Sequence, residues 1–200
     1  MDWLTRSFPE SITLAGQAVP IRTGWRRCIR SYILQDELRH KGFGVTDANA
    51  VLTSWFSRDG RMPEAVTQNP YEALKQAFLW RDQAFSKALP YGDDTPQAPA
   101  KERLFDWQAD SGIVCIDFLT HYGIDLQSWQ AHWYKFALLF SGLCASESLV
   151  STAINARKPL SRDADKYTKT QHRAQKKAWA LPISEYERIQ RHNAQIREQW

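Results

Sequence analysis

Thiols, imidazoles and carboxylates are the side chains through which this chain could ligate a metal or move protons, and their spacing argues against both. Cys115, His121, His132 and Cys144 follow one another at intervals of six, eleven and twelve residues. No tetrahedral zinc pattern has that spacing, so they read as packing residues. Glu37 and His40 sit one helical turn apart, as in di-metal carboxylate sites, but the second such pair is missing. Asp117 interrupts an apolar run between Ile116 and Phe118. No partner carboxylate or histidine is paired with it by spacing, so a charge on the narrow polar face of a buried helix explains it better than a general base. A phosphate-cradling glycine loop, a nucleophile elbow and a nucleotide fingerprint are all absent. The expectation is a protein that is not an enzyme, with no catalytic residues, no cofactor and no metal.

The remaining candidate surface is electrostatic. Residues 157–200 carry 11 Lys/Arg against 5 Asp/Glu, whereas residues 1–156 carry 15 against 17. Within the basic quarter, Lys166, Lys169, Arg173, Lys176 and Lys177 are spaced to make one positive helical surface. Phosphates need little more than this, yet no base-reading motif accompanies the cations, and Asp163 and Asp165 dilute the charge at the start.

These residues need elements to hold them, and the pattern is mostly helical. Phe105–Leu143 reads as a helix pair: Asp110 caps the first helix, Gly123 stops it, and Asp125 caps the second. Ile124 and Trp129 are spaced as a staple. Leu126, Trp129, Trp133, Phe136, Phe140 and Leu143 then form one wide aromatic face. Upstream, Ser11–Ile21 alternates around Gly16-Gln17, a hairpin signal. Thr23 can cap a helix burying Trp25, Cys28, Ile29, Tyr32 and Ile33, with Arg26, Arg27 and Arg30 pointing elsewhere. Asp47 can cap a short helix burying Val51, Leu52, Trp55 and Phe56. Ser57–Pro70 is a turn-rich connector, and a helix follows from Pro70 with Leu74, Ala77, Phe78 and the stem of Arg81 on one side. Residues 89–100 hold three of the nine prolines and read as an insertion loop. After it and the helix pair, Ser146 can cap a small helix through Leu149, Val150 and Ile154, stopped by Pro159. A basic helix then covers Ser161–Ala178, and a last one runs from Ile183 to Trp200. In that last helix Tyr186, Ile189, Ile196 and Trp200 fall on heptad-like steps, a seam for a partner.

The fold class expected is mainly α: a multi-helix globular domain at 1–182 with a small N-terminal β-hairpin and a C-terminal basic helix, extended by a terminal helix at 183–200. An apolar fraction of 43% and a charged fraction of 24% are ordinary for a globular chain. No run of about 18 apolar residues predicts a membrane span, and the first residues lack the regions of a signal peptide. Three cysteines inside helical patterns suit a reducing compartment.

At the central pair the sequence resembles a bacteriophage family known as phage protein "Gp fifteen". The resemblance rests on F-D-W-Q-A-D at Phe105–Asp110, Y-G-I-D-L at Tyr122–Leu126, H-W-Y-K-F at His132–Phe136 and Gly142-Leu143. Phe8–Tyr32, Ala73–Trp80, a short helix ending near an Arg, and Ala180-Leu181-Pro182 extend it over residues 8–182. The resemblance implies a tail assembly chaperone of long-tailed phages that binds the tape measure protein. Tail tube protein and a second copy of the chain are further candidate partners. It would act in the cytoplasm of the infected or lysogenic bacterial host. The alternatives are a basic nucleic-acid-binding phage protein and a minor structural protein of the virion.

Overall fold

The computed structural model describes residues 4–38, 42, 44–86, 103–161 and 163–183, together with 188, 193, 195 and 196. Its architecture is mainly helical with one small antiparallel hairpin, as the residue pattern implies. Strands β1 (Ser11–Leu14) and β2 (Gln17–Pro20) pair through Ser11–Pro20 and Leu14–Gln17. The turn is Ala15-Gly16, one residue earlier than the Gly16-Gln17 expected, and both residues have positive φ, which matches the right-handed twist of a two-residue hairpin. Ile12, Leu14 and Val19 face the core from it.

Among the described residues eight helices follow: α1 (Trp25–Leu38), α2 (Val45–Phe56), α3 (Glu64–Gln68), α4 (Pro70–Ser86), α5 (Ser111–Tyr122), α6 (Trp133–Ala145), α7 (Leu149–Arg157) and α8 (Lys166–Ala178). Helix α6 is central and packs against α1, α4, α5 and α7. Its residues Trp133, Tyr134, Phe136, Ala137, Phe140 and Leu143 are buried. No helix among the described residues is long and apolar enough alone to cross a membrane, and α6 and α7, apolar together, meet at 63°.

Several local expectations are corrected. The aromatic helix begins at Trp133, not after Asp125. Asp125 instead closes one isolated turn, its carboxylate accepting the Gln127 N–H at 2.8 Å and its carbonyl the Trp129 N–H at 2.9 Å. Leu126 and Trp129 are nonetheless covered, so the apolar spacing runs on through a segment that is not helix. The cap of α6 is His132, that of α7 is Ser148 and not Ser146, and that of α2 is Gly44, whose N–H donates to Asp47. Asp110 precedes α5 as expected, but its carboxylate accepts no first-turn N–H. The connector between α2 and α4 contains the short helix α3. Helix α8 starts at Lys166 with Asp165 as its cap. Gly123, by contrast, ends α5 in the left-handed conformation that its position requires. The proline-rich stretch 89–100 lies outside the described residues.

Of the three arginines expected to point away, Arg30 is exposed, but Arg26 and Arg27 turn inward. Arg26 donates to the carbonyls of Leu126, Gln127 and Trp129, tying α1 to the Asp125 turn, and Arg27 donates to the Ser54 carbonyl. Arg81 is buried whole, not by its stem alone. Its guanidinium reaches Ser31, Gln35 and Asp82 and lies 3.5 Å from the Tyr32 ring centroid. The planar fork satisfies its donors while its face stacks, which is how arginine tolerates such burial.

Candidate functional site

Asp117 and His132, two of the residues singled out for chemistry, help to build the fold. Asp117 is 2% exposed and does not lie on a polar face. Its two oxygens accept the N–H groups of Leu149 and Val150, at 3.1 and 2.8 Å. These are unpaired first-turn donors of α7, so a carboxylate from α5 caps a helix 32 residues away and complements its dipole. His121, one turn along α5, stands 4.0 Å from Asp117, beyond hydrogen-bonding distance.

Asp110 and Arg157 form a second buried centre. The guanidinium binds the carboxylate through two N–H groups, at 2.7 and 2.8 Å. The same side chain donates to the Leu104 carbonyl at 2.9 Å and the Trp179 carbonyl at 2.6 Å. One arginine thus joins the start of α5, the end of α7 and the end of α8. The second Asp110 role is to accept the Asp106 N–H at 3.0 Å. The oxygens of both aspartates are engaged by peptide and guanidinium donors, and their work is structural.

His132 completes the set. Its Nδ1 accepts the Tyr134 N–H at 3.0 Å, which leaves the proton on Nε2, 3.3 Å from the Pro9 carbonyl. Trp80 donates to that same carbonyl at 3.1 Å, so the N-terminal segment bridges α4 and the start of α6. Burial pushes the His132 imidazole below the usual histidine range, outweighing the Pro9 bond and the nearby Glu10. The unfolded chain, titrating near ~6.5, therefore takes up this proton before the folded one does. Stability contributed by the neutral ring is present above that pH and is lost as pH falls from ~6.5 toward the folded value. Urea midpoints should fall between pH 7.5 and pH 5.5 (about one unit either side of that reference) by more in the wild type than in His132→Asn. Asparagine keeps a capping oxygen but cannot titrate. Equal shifts in the two proteins would remove His132 from the account.

The five cations predicted to make one positive surface all lie on α8. Lys166, Lys169, Arg173 and Lys177 are exposed and Lys176 is half-buried. Of the terminal seam, Tyr186, Ile189 and Trp200 lie outside the described residues, while Ile196 is helical and 43% exposed. Glu37 is exposed at the end of α1, and His40 lies outside the described residues. Among the described residues no three His, Cys, Asp or Glu side chains gather as a metal site. Cys28 is buried, Cys115 half-buried and Cys144 exposed, each a free thiol. A shallow concavity lined by Pro20, Phe56, Arg58, Arg61, Met62 and Pro63 has two arginines as its only titratable groups.

The four sequence blocks that carry the resemblance now have structural roles. In H-W-Y-K-F, His132 caps α6, the Trp133 indole donates to the Arg81 carbonyl at 2.8 Å, and the Tyr134 hydroxyl donates to the Trp80 carbonyl at 2.9 Å. In Y-G-I-D-L, Gly123 ends a helix, Asp125 closes a turn and the Tyr122 hydroxyl donates to the Leu139 carbonyl at 2.9 Å. A side chain at Gly142 would stand 2.7 Å from that hydroxyl, so the Tyr122–Leu139 bond would have to shift to admit one. F-D-W-Q-A-D supplies Asp110. The family model described as Bacteriophage Gp15 protein matches residues 4–181. The chain belongs to that family. No curated protein and no solved structure matches it. Within the Gp15 match lie the hairpin, all eight helices and the Asp110–Arg157 and Asp117 centres. The terminal seam lies beyond it.

The sequence reading missed Asp110–Arg157, the cap role of Asp117 and the inward arginines. One signal was available. An aspartate closing the F-D-W-Q-A-D block and an arginine ending the short helix both recur within the resemblance, though nothing local pairs them across 47 residues.

Proposed function

We propose that this Gp15-family chain is a non-catalytic tail assembly chaperone of a long-tailed phage. It binds the tape measure protein in the cytoplasm of the infected or lysogenic host while the tail tube polymerises. The observation that carries the reading is how the motif residues are used. His132, Trp133 and Tyr134 of H-W-Y-K-F, Tyr122 of Y-G-I-D-L and Asp110 of F-D-W-Q-A-D turn inward to cap, tie and fill the fold. Among what the fold presents outward are a basic helix and, on α5, Ile116 and Leu119, 52% and 58% exposed. A tape measure is long and largely helical with an apolar stripe, and such a stripe is shielded by contacts along a helix. The terminal seam of Tyr186, Ile189, Ile196 and Trp200 belongs to the same proposal as a contact for the tape measure or for a second copy.

Co-expression with the tape measure protein of the same phage tests this. The tape measure should be recovered soluble and bound in the presence of the chain, and insoluble in its absence. Purified virions should lack the chain by mass spectrometry. Its presence at stoichiometric levels would instead make it a structural protein of the particle. Ending the chain after Pro182 should leave the melting temperature unchanged and weaken capture. A large drop in melting temperature would assign the terminal segment to the fold.

A further inference from the structure

Helix α8 is built unlike the other helices. None of its residues is buried, and between Lys166 and Ala178 it carries five cations and no acid. Lys169, Arg173 and Lys177 follow at i, i+4 and i+8, a like-charge row that destabilises an isolated helix. Thirteen residues are also too few for a stable helix alone. The fold compensates at the ends. Asp165 accepts the Thr168 N–H at 3.0 Å, Arg157 holds the Trp179 carbonyl, and Arg103 donates to the Pro182 carbonyl at 2.9 Å. The helix is thereby fixed in place with its length left open.

The half-covered positions Thr168, His172, Lys176 and Trp179 recur at three or four residues and mark the side facing the body. Two exposed rows run along the opposite side. One is Tyr167, Gln171, Ala174 and Ala178, with Tyr167 71% exposed. The other is Lys166, Thr170, Arg173 and Lys177. No ion pair joins Lys166, Arg173 or Lys177 to a carboxylate among the described residues. The outward face is thus half aromatic and small, half cationic, at the spacing of a helix seam with one charged flank.

The geometry points to α8 as the docking helix for an acidic amphipathic helix of a partner protein, an inference that rests on the binding-protein reading above. The partner's apolar stripe would lie along Tyr167, Ala174 and Ala178, where small residues let two helices approach closely. Its Glu or Asp flank would meet Lys166, Arg173 and Lys177 and relieve the like-charge row. Duplex nucleic acid fits less well. The Tyr/Ala row offers phosphates no cation, and exposed Asp163 and Asp165 repel them at one end.

The test uses the full chain and a labelled designed peptide of about three heptads, with leucine at the seam and glutamate at the flanks. Anisotropy should report binding at about 20 mM salt that weakens at about 300 mM. The triple change Lys166→Glu, Arg173→Glu, Lys177→Glu should weaken it about tenfold or more. A Gln triple should do so less, and Tyr167→Ala several-fold with no change in salt dependence. Circular dichroism should show all variants folded, since no altered side chain is buried. Absence of peptide binding, or binding indifferent to the charge reversal, overturns the proposal. So does tighter binding of a random duplex that ignores Tyr167→Ala, which would promote nucleic acid. Tape measure capture separates the two proposals. Capture retained by the Glu triple leaves the chaperone reading standing and removes α8 from it. No capture by the wild type, with peptide binding intact, does the reverse.

Discussion

Arg157→Ala should lower stability by roughly 3–5 kcal/mol, the usual result of removing one partner from a buried ion pair. Arg157 is 6% exposed and Asp110 5% exposed. After truncation the Asp110 carboxylate would keep the Asp106 N–H but lose both guanidinium donors. The carbonyls of Leu104 and Trp179 would lose the same donor. Charge left unpaired in the interior, more than the lost attraction itself, sets the size of the effect. For a chain of this length the melting temperature should fall by roughly 6–20 °C. Asp110→Ala should be similarly harmful, and the double variant should cost clearly less than the two single changes added together, because the groups act as one unit. Additive costs, or a melt within a degree or two of wild type, would refute the pair as a structural centre. The loss should also loosen the end of α8, so any partner binding by that helix should weaken in Arg157→Ala.

Trp133→Ala should cost roughly 3–5 kcal/mol, the range for emptying a large buried aromatic site. Trp133 has no exposed surface. Its ring stacks on Phe136 at 5.6 Å, meets Phe85 edge-on at 5.2 Å, and donates its indole N–H to the Arg81 carbonyl. The site lies where α1, α4 and α6 converge, so collapse around the cavity is resisted from three sides. Trp133→Phe keeps much of the volume but loses the hydrogen bond, and should fall between wild type and alanine. Chemical denaturation of the three proteins checks the order. An alanine variant as stable as wild type and still monodisperse would mean that α6 is not the centre of the core.

Both sites illustrate what a pattern of residue types can and cannot say. Apolar periodicity located nearly every helix, because burying one face needs only the chain's own 3.6-residue repeat. Val51, Leu52, Trp55 and Phe56 are the buried residues of α2, as their spacing requires. Gly123 is equally local, since a positive φ is demanded by the chain reversal itself, and the hairpin was legible although its turn lies one residue before the Gly16-Gln17 expected. The resemblance blocks identified the family, which the match over residues 4–181 bears out.

Polar residues were harder, for a physical reason. Asp110, Asp117 and Asp125 are chemically identical caps-in-waiting, and each does something different: one pairs with Arg157, one caps a distant helix, one closes a turn. Arg26 and Arg157 look in sequence like solvated surface, and Arg81 reads as covered by its stem alone, because a guanidinium is buried only when acceptors from elsewhere surround its fork. The start of α6 was misplaced because Leu126 and Trp129 continue the apolar spacing while loop packing, not helix, covers them. The sequence by itself determined the mainly helical class, most of the helices and the aromatic core through local spacing, and the family through its motif blocks. Only the tertiary structure decided which carboxylate meets which donor, for those partners lie 32 to 47 residues apart and are chosen by the fold that brings them together.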